Sequence, residues 1–258
     1  MNEIIKLSKK YSYRNLINDI EYLKYSYKDF HTGIVGESTV GRKIFYIRLG
    51  SGKEKLLIKF AEKANESVLS SVCMSFVEEL LISIHKNEFY KCYDVKELLE
   101  NYTIFFIPMV NPDGVGLVLR EKEILLNRSY QHIWERYYSV LELWKNNIRG
   151  VDIENNYRKT WNKNALKLLK QGRFKPDLNS YPGFNYLSEK ENISIEKFID
   201  IHRIKTILTI KLVGKRMYLM DTKTIKFLVE EKIFESLNVE FCRNLTNDFC
   251  WHIIGTVI

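Results

Sequence analysis

His31, His85, His132, His202 and His252 are the residues best suited to hold a metal or move a proton near neutral pH, yet no two of them stand at a ligand spacing. Core or surface histidine is the favoured reading for each. Cys73, Cys92, Cys242 and Cys250 show no CxxC pair, so they read as reduced thiols and neither a structural zinc site nor a redox pair. Asp113-Gly114 in "NPDGV" reads as a turn. Glu240 in "LNVEFC" is a carboxylate on a strand-like run, where a solvent-facing residue is the ordinary meaning. Forty Lys and Arg against 32 Asp and Glu leave a formal charge of +8. That excess favours acidic ligands in general, but the basic residues are scattered, without the stripe a nucleic-acid interface needs. Nucleic acid is therefore not an expected partner.

The elements that would position these residues follow from periodicity. In "RNLINDIEYLKYSY", Leu16, Ile17, Ile20 and Leu23 share one helical stripe, and "KIFYIRL" and "KLLIKF" then read as strands. "ESVLSSVCMSFVEELLISIH" keeps apolar residues at helical spacing, and "TIFFIPMV" reads as a strand buried on both faces. Residues 116–186 are less regular, with "YQHIWERYYSVLELW" as a core or partner-facing helix. Ser188 followed by Glu191 forms a capping-box pattern before an amphipathic helix, and "TILTIKL" and "RMYLM" are two more strands. Strands alternating with helices predict an α/β fold with a mixed, mostly parallel sheet covered by helices on both faces. At 258 residues without a linker or repeat, the chain is expected to form one domain over 1–258. The first twenty residues lack a secretory apolar core and no later segment reads as a membrane span, so a cytoplasmic protein without a membrane partner is expected.

Four segments carry a resemblance. "VGESTVGRKIFYIRLGSG", with Ser38, Gly41 and Arg42, is similar to the Ser-x-x-Gly-Arg approach to a strand in the zinc carboxypeptidase family. "IPMVNPDGV" matches that family's pattern closely. "GVDIENNYRKTW" and "YPGFNYLSEKE" resemble its Gly-Val-Asp-Leu-Asn-x-Asn-Phe/Tyr and Tyr-x-Gly…Ser-Glu-x-Glu segments. The order of all four is the family's, and the form at Asn156, Tyr157 and Trp161 is most similar to bacterial enzymes that cut γ-D-glutamyl to diaminopimelate bonds in cell-wall peptides. The resemblance implies the family's α/β sandwich, shortened at its C-terminal end.

What the family's chemistry implies is only partly present. Its zinc is held by a His-x-x-Glu segment and a later strand His, leaving one position for a water that becomes the nucleophile. The aligned residues here are Lys63, Glu66 and Lys211. An ammonium offers no lone pair until it loses a proton, which its ordinary pKa of about 10.4 opposes at neutral pH. Zinc, the family's cofactor, is accordingly not expected, and neither is another cofactor. Two lysines with one glutamate carry the same net charge as zinc with one glutamate and two neutral histidines, which suggests a salt-bridged cluster around Glu66 in place of the metal. Where the family has an Asn-Arg or Asn-Leu pair whose Asn helps hold a substrate carboxylate, this chain has Glu154 and Asn155. Asn155, Asn156, Tyr157 and Arg128 are the substrate-binding candidates the resemblance supplies, with Arg120 a weaker one. The family's late-strand general base has no recognisable counterpart; Glu240 is its nearest stand-in.

The sequence thus points to a pseudopeptidase, a carboxypeptidase-like domain kept as a peptide-binding or interaction module, whose ligand is a peptide or cell-wall peptide or whose partner is another protein. The alternative is an active metallopeptidase, a carboxypeptidase or γ-D-glutamyl-diamino acid endopeptidase, with a remodelled site.

Overall fold

The structure, a computed structural model, describes residues 5–90, 94–213, 216–219 and 250–251. Glu240 and His252 lie outside the described residues. In chain order the elements open with α1 (Tyr13–Ser26), β1 (His31–Glu37), β2 (Lys43–Leu49), β3 (Glu54–Lys59), α2 (Ser67–Lys86), α3 (Val95–Asn101) and β4 (Tyr102–Ile107). The short helices α4 (Pro112–Val118), α5 (Lys122–Leu125) and α6 (Gln131–Trp134) follow, and a 3₁₀ stretch at Glu135–Leu143 leads to α7 (Ile153–Asn156) and α8 (Arg158–Lys170). The chain closes with α9 (Lys190–His202), β5 (Thr206–Val213), β6 (Arg216–Leu219) and β7 (Cys250–Trp251).

The strands form one sheet in the order β1-β2-β4-β3-β5-β6-β7. It is mixed: β3 runs parallel to both β4 and β5, β6 runs parallel to β7, and the other pairings are antiparallel. The side-chain alternation of the central strands sorts two cores. Leu56, Ile58, Ile104, Phe106, Leu208 and Ile210 face the layer containing α1 and α2. Leu57, Phe105 and Ile107 face the opposite layer, against Ile195 and Phe198 of α9. By the same parity Lys59, Ile207, Thr209 and Lys211 belong to the α9 face.

Helix α2 is apolar nearly all round because it is covered nearly all round. It is long and apolar enough to cross a membrane by length and composition alone, contrary to the sequence expectation, but 83% of its apolar window is buried within the fold. Other expectations also shift. Ile17 of α1 is exposed while Leu16, Ile20 and Leu23 are buried, since a helix lying on one layer buries a stripe narrower than four such residues. The Ser188–Glu191 capping box is not formed: Glu189 stands at the N-cap with no side-chain cap, and Glu191 is buried and turned to the Thr39 backbone N–H at 2.9 Å. Asp113 and Gly114 sit in the first turn of α4, where Asn111 accepts from the Gly114 N–H at 3.0 Å and Pro112 opens the helix. The 130–144 segment is two short pieces with a break at Val140.

Candidate functional site

The site forms beyond the C-terminal end of β3, where β4 and β5 leave on opposite sides. Ligands collect at such a switch point because no strand covers it. The chain after β3 is fixed by backbone bonds: Phe60 N–H donates to the Ile107 carbonyl (3.0 Å), Asn111 N–H to that of Ala61 (3.1 Å) and Ala64 N–H to that of Lys145 (3.0 Å). Ala61 takes a left-handed φ of 49°, a strained choice for a residue with a Cβ and one that aims the following residues into the site. The side chain of the buried Asn111 donates to the Glu62 carbonyl at 3.0 Å, pinning the same segment.

On this scaffold Lys63, Glu66 and Lys211 come together, but the ion pairing differs from the expected cluster. Both ammonium groups converge on Glu154: Lys63 Nζ lies 3.6 Å from Oε2, and Lys211 Nζ pairs with Oε1. Glu66 is in no ion pair among the described residues. Its Oε1 accepts from the Leu212 backbone N–H at 3.0 Å, and its Oε2 is buried without a partner. The cause is position. Glu154 stands at the start of α7, held by the Asp152 cap, and reaches Lys211 on β5, whereas Glu66 is occupied by β5 backbone. Burial raises the Glu66 carboxyl to about 7, against the pull of Lys63, the Leu212 N–H and Lys211. Burial acts to lower the Lys63 ammonium, but Glu154, Glu66 and Asp152 together outweigh it and hold its pKa above the ordinary lysine value.

This donor set does not fit a divalent metal. Two of the three positions carry ammonium groups committed to Glu154, and half of the remaining carboxylate is spent on a backbone N–H. Among the described residues no three or more His, Cys, Asp and Glu side chains gather as a metal-holding group.

A second buried network adjoins the first. Lys59 Nζ lies 2.5 Å from Glu62 Oε1 and 3.1 Å from the Tyr157 hydroxyl oxygen, and Tyr157 donates to the same Glu62 oxygen at 2.7 Å. The ammonium also rests 4.2 Å from the centroid of the Tyr157 ring. Burial pushes the Glu62 carboxyl up, but Lys59, Lys211 and the Tyr157 hydroxyl more than offset it, so Glu62 lies below the ordinary carboxylate range. Tyr157 is driven upward by burial and by Glu62, and stays a neutral donor. These residues, with Glu154 and Lys211, floor a cleft of about 580 Å³ whose walls are α8 and α9. The Lys59–Glu62 pair has one trace in the sequence: a lysine ending an apolar strand, with a glutamate three residues on.

The other candidates fall into different places. Tyr157 lines the cleft. Asn156 is fully buried and donates to the carbonyls of Pro182 (2.8 Å) and Asn185 (2.9 Å), while its Oδ1 accepts from the Glu189 N–H at 3.2 Å. It fastens the 181–189 segment beneath the site. Asn155 bonds Asp152 Oδ2 at 2.9 Å and accepts from Asn164 at 3.0 Å. Arg128 is exposed between α5 and α6, and Arg120 donates to the Tyr138 carbonyl at 2.9 Å; neither lines the cleft. Ser38, Gly41 and Arg42 build the turn before β2. Ser38 Oγ donates to Asp113 at 2.8 Å and accepts from the Arg42 N–H at 2.9 Å, Gly41 takes a φ of 94°, and Arg42 pairs with Glu121 at 2.6 Å. The "Ser-x-x-Gly-Arg" and "NPDG" segments are thus two halves of one joint.

The zinc carboxypeptidase family profile matches residues 16–247. The chain belongs to the zinc carboxypeptidase family. Its sequence is similar to the Gamma-D-glutamyl-L-diamino acid endopeptidase 1 of Lysinibacillus sphaericus, 27% identical over 161 residues that cover 61% of this chain and 40% of that protein. It is also similar to the Zinc carboxypeptidase A 1 of Drosophila melanogaster, 24% identical over 72% of this chain and 39% of that protein. The chain therefore spans less than half the length of these two relatives. Among solved structures, thrombin activatable fibrinolysis inhibitor superposes with a TM-score of 0.62 at 16% identity, over 95% of this chain and 58% of that one. Carboxypeptidase A from Helicoverpa armigera gives 0.57 at 17% identity, over 98% and 60%. These superpositions establish the zinc carboxypeptidase fold for the chain, with the mixed sheet and two helical layers the sequence pattern predicts.

Proposed function

We propose that this zinc carboxypeptidase-like chain binds peptides without cutting them. One observation carries the reading: Lys63 and Lys211, which the family resemblance aligns with two of the three zinc-ligand positions, both pair with Glu154. Metal-assisted hydrolysis depends on a bound water whose pKa has been brought to about 7, and an ammonium–carboxylate cluster offers no Lewis acid to do so. The scaffold around the cluster is fixed without a metal, by the Ala61 turn, the Asn111 side chain and the Ser38–Asp113 joint. The fitting ligand is a peptide or cell-wall peptide, or a peptide segment of a protein partner.

The second reading, an active γ-D-glutamyl-diamino acid endopeptidase or carboxypeptidase, draws support from the Lysinibacillus relative and from Glu66, whose Oε2 has no partner among the described residues. The two readings part in one experiment. The purified chain is incubated with γ-D-glutamyl-diaminopimelate peptides and with C-terminal carboxypeptidase substrates, with added zinc and with chelator, and products are followed by mass spectrometry. No chelator-sensitive cleavage is expected, together with saturable peptide binding by calorimetry. Zinc-dependent turnover removed by chelator establishes the hydrolase instead.

A further inference from the structure

The two walls of the cleft carry opposite charge. Lys159 and Lys163 on α8 are four residues apart and share one helical face, as do Glu196 and Asp200 on α9, and all four line the same cavity. None of the ion pairs among the described residues joins one wall to the other. Among the described residues Glu196 is tied at one oxygen, which accepts from the Arg158 backbone N–H at 3.1 Å and so fastens α9 to the start of α8. Between the walls the floor is electrically closed, since Lys59 is paired with Glu62 and Lys211 with Glu154. Ile199 and Ile207 add an apolar strip, and Lys205, at the foot of β5, leaves the lining with one positive charge in excess.

Opposite charges facing each other across a water-filled gap are a stable arrangement only while each wall is solvated. A ligand that supplies a carboxylate to one wall and an amine to the other replaces that water on both sides. We propose that the cleft binds a zwitterion, with its carboxylate at Lys159 and Lys163, its ammonium at Glu196 and Asp200, and an apolar spacer over Ile199 and Ile207. This rests on the peptide-binding reading in one respect, that the bound molecule is held and not cut, and it gives that reading a ligand class. A peptide or amino acid with separated amine and carboxylate ends meets it, while a simple anion satisfies one wall and leaves the other facing its own charge.

The test uses 6-aminohexanoate as probe, with hexanoate and hexylamine as one-ended analogues, titrated calorimetrically into the full chain at low salt. The zwitterion is expected to bind at least tenfold more tightly than either analogue and to weaken as salt is raised. The pair K159E/K163E and the pair E196K/D200K are each expected to lose that preference, and the fourfold reversal to restore it with the ligand turned end for end. E196Q/D200N, which keeps an amide oxygen for the Arg158 N–H, guards against a folding effect; it too is expected to lose the preference, with an unchanged circular dichroism spectrum. Equal binding of hexanoate and 6-aminohexanoate, no binding of any of the three, or failure of a folded fourfold reversal to recover the preference overturns the proposal. Peptide turnover in the hydrolysis assay alongside intact zwitterion preference would sink the non-catalytic reading alone; absence of both turnover and preference would sink the zwitterion alone.

Discussion

Glu154 is the residue on which the charge balance of the site turns. It stands where the family resemblance places a neutral asparagine that meets a substrate carboxylate, and here it meets two ammonium groups of the chain itself. Lys211 is nearly buried and Glu154 only partly exposed, so the pair is cheap to keep and costly to halve: a buried ammonium without its counter-charge bears its full desolvation penalty. Glu154→Gln is accordingly expected to destabilise the fold by about 1–3 kcal/mol, read as a lower urea midpoint with an unchanged slope. Adding Lys211→Met to that variant removes the stranded charge and is expected to recover much of the loss. An unchanged midpoint in Glu154→Gln would mean that the lysines are satisfied by water and that Glu154 does not organise them. Glu66 tells the complementary story. The expected salt bridge depended on which carboxylate each ammonium could reach, and that is set by α7 and by the Leu212 N–H, neither of which spacing along the chain reveals.

At the scale of elements, the joint between the Ser38 turn, α4 and α9 holds two buried carboxylates. Asp113 accepts from Ser38 Oγ and from the Val40 N–H, each at 2.8 Å, and Glu191 accepts from the Thr39 N–H at 2.9 Å. Burial, then the charge of Asp113, raises Glu191 from the ordinary 4.5 to about 7. The folded state therefore keeps a proton that the unfolded chain releases between those values, so Glu191 makes stability highest below pH 4.5 and lower as pH rises through 7. Glu191→Gln keeps an acceptor for Thr39 and is expected to flatten that fall. Urea midpoints of the two proteins measured from pH 4.5 to 8 should diverge; parallel curves would show that Glu191 titrates at the same pH in the folded and unfolded chain. This joint also explains why one helix start was misread: Ser188 and Glu191 have the capping-box spacing, but Glu191 has a better acceptor role 152 residues away in sequence. Helix α8 is indistinct in the sequence because it is strongly polar overall and buries only Ala165. Strand β1 was missed for the same reason, as no residue in it is fully buried.

Across the whole molecule, what was legible depended on how strongly each feature is written into local pattern. The doubly buried strands β3 and β4 and the mainly apolar α2 announce themselves by composition, and the four family segments are recognisable because the backbone joints they build tolerate few alternatives. The cleft was not legible. Its floor needs Lys59, Glu62, Tyr157 and Lys211, drawn from two strands, the loop after β3 and a helix start, and its charged walls come from helices that meet only in the folded chain. We propose that Lys63 and Lys211 replace the metal on the zinc carboxypeptidase fold. That replacement is tested most directly by elemental analysis of the chain purified without added zinc or chelator, beside the variant K63H/K211H, in which Glu66 Oε2 is free to join two imidazoles. Well below one zinc per chain in the unaltered protein and close to one in the variant is the predicted result; about one tightly held zinc in the unaltered protein would contradict it.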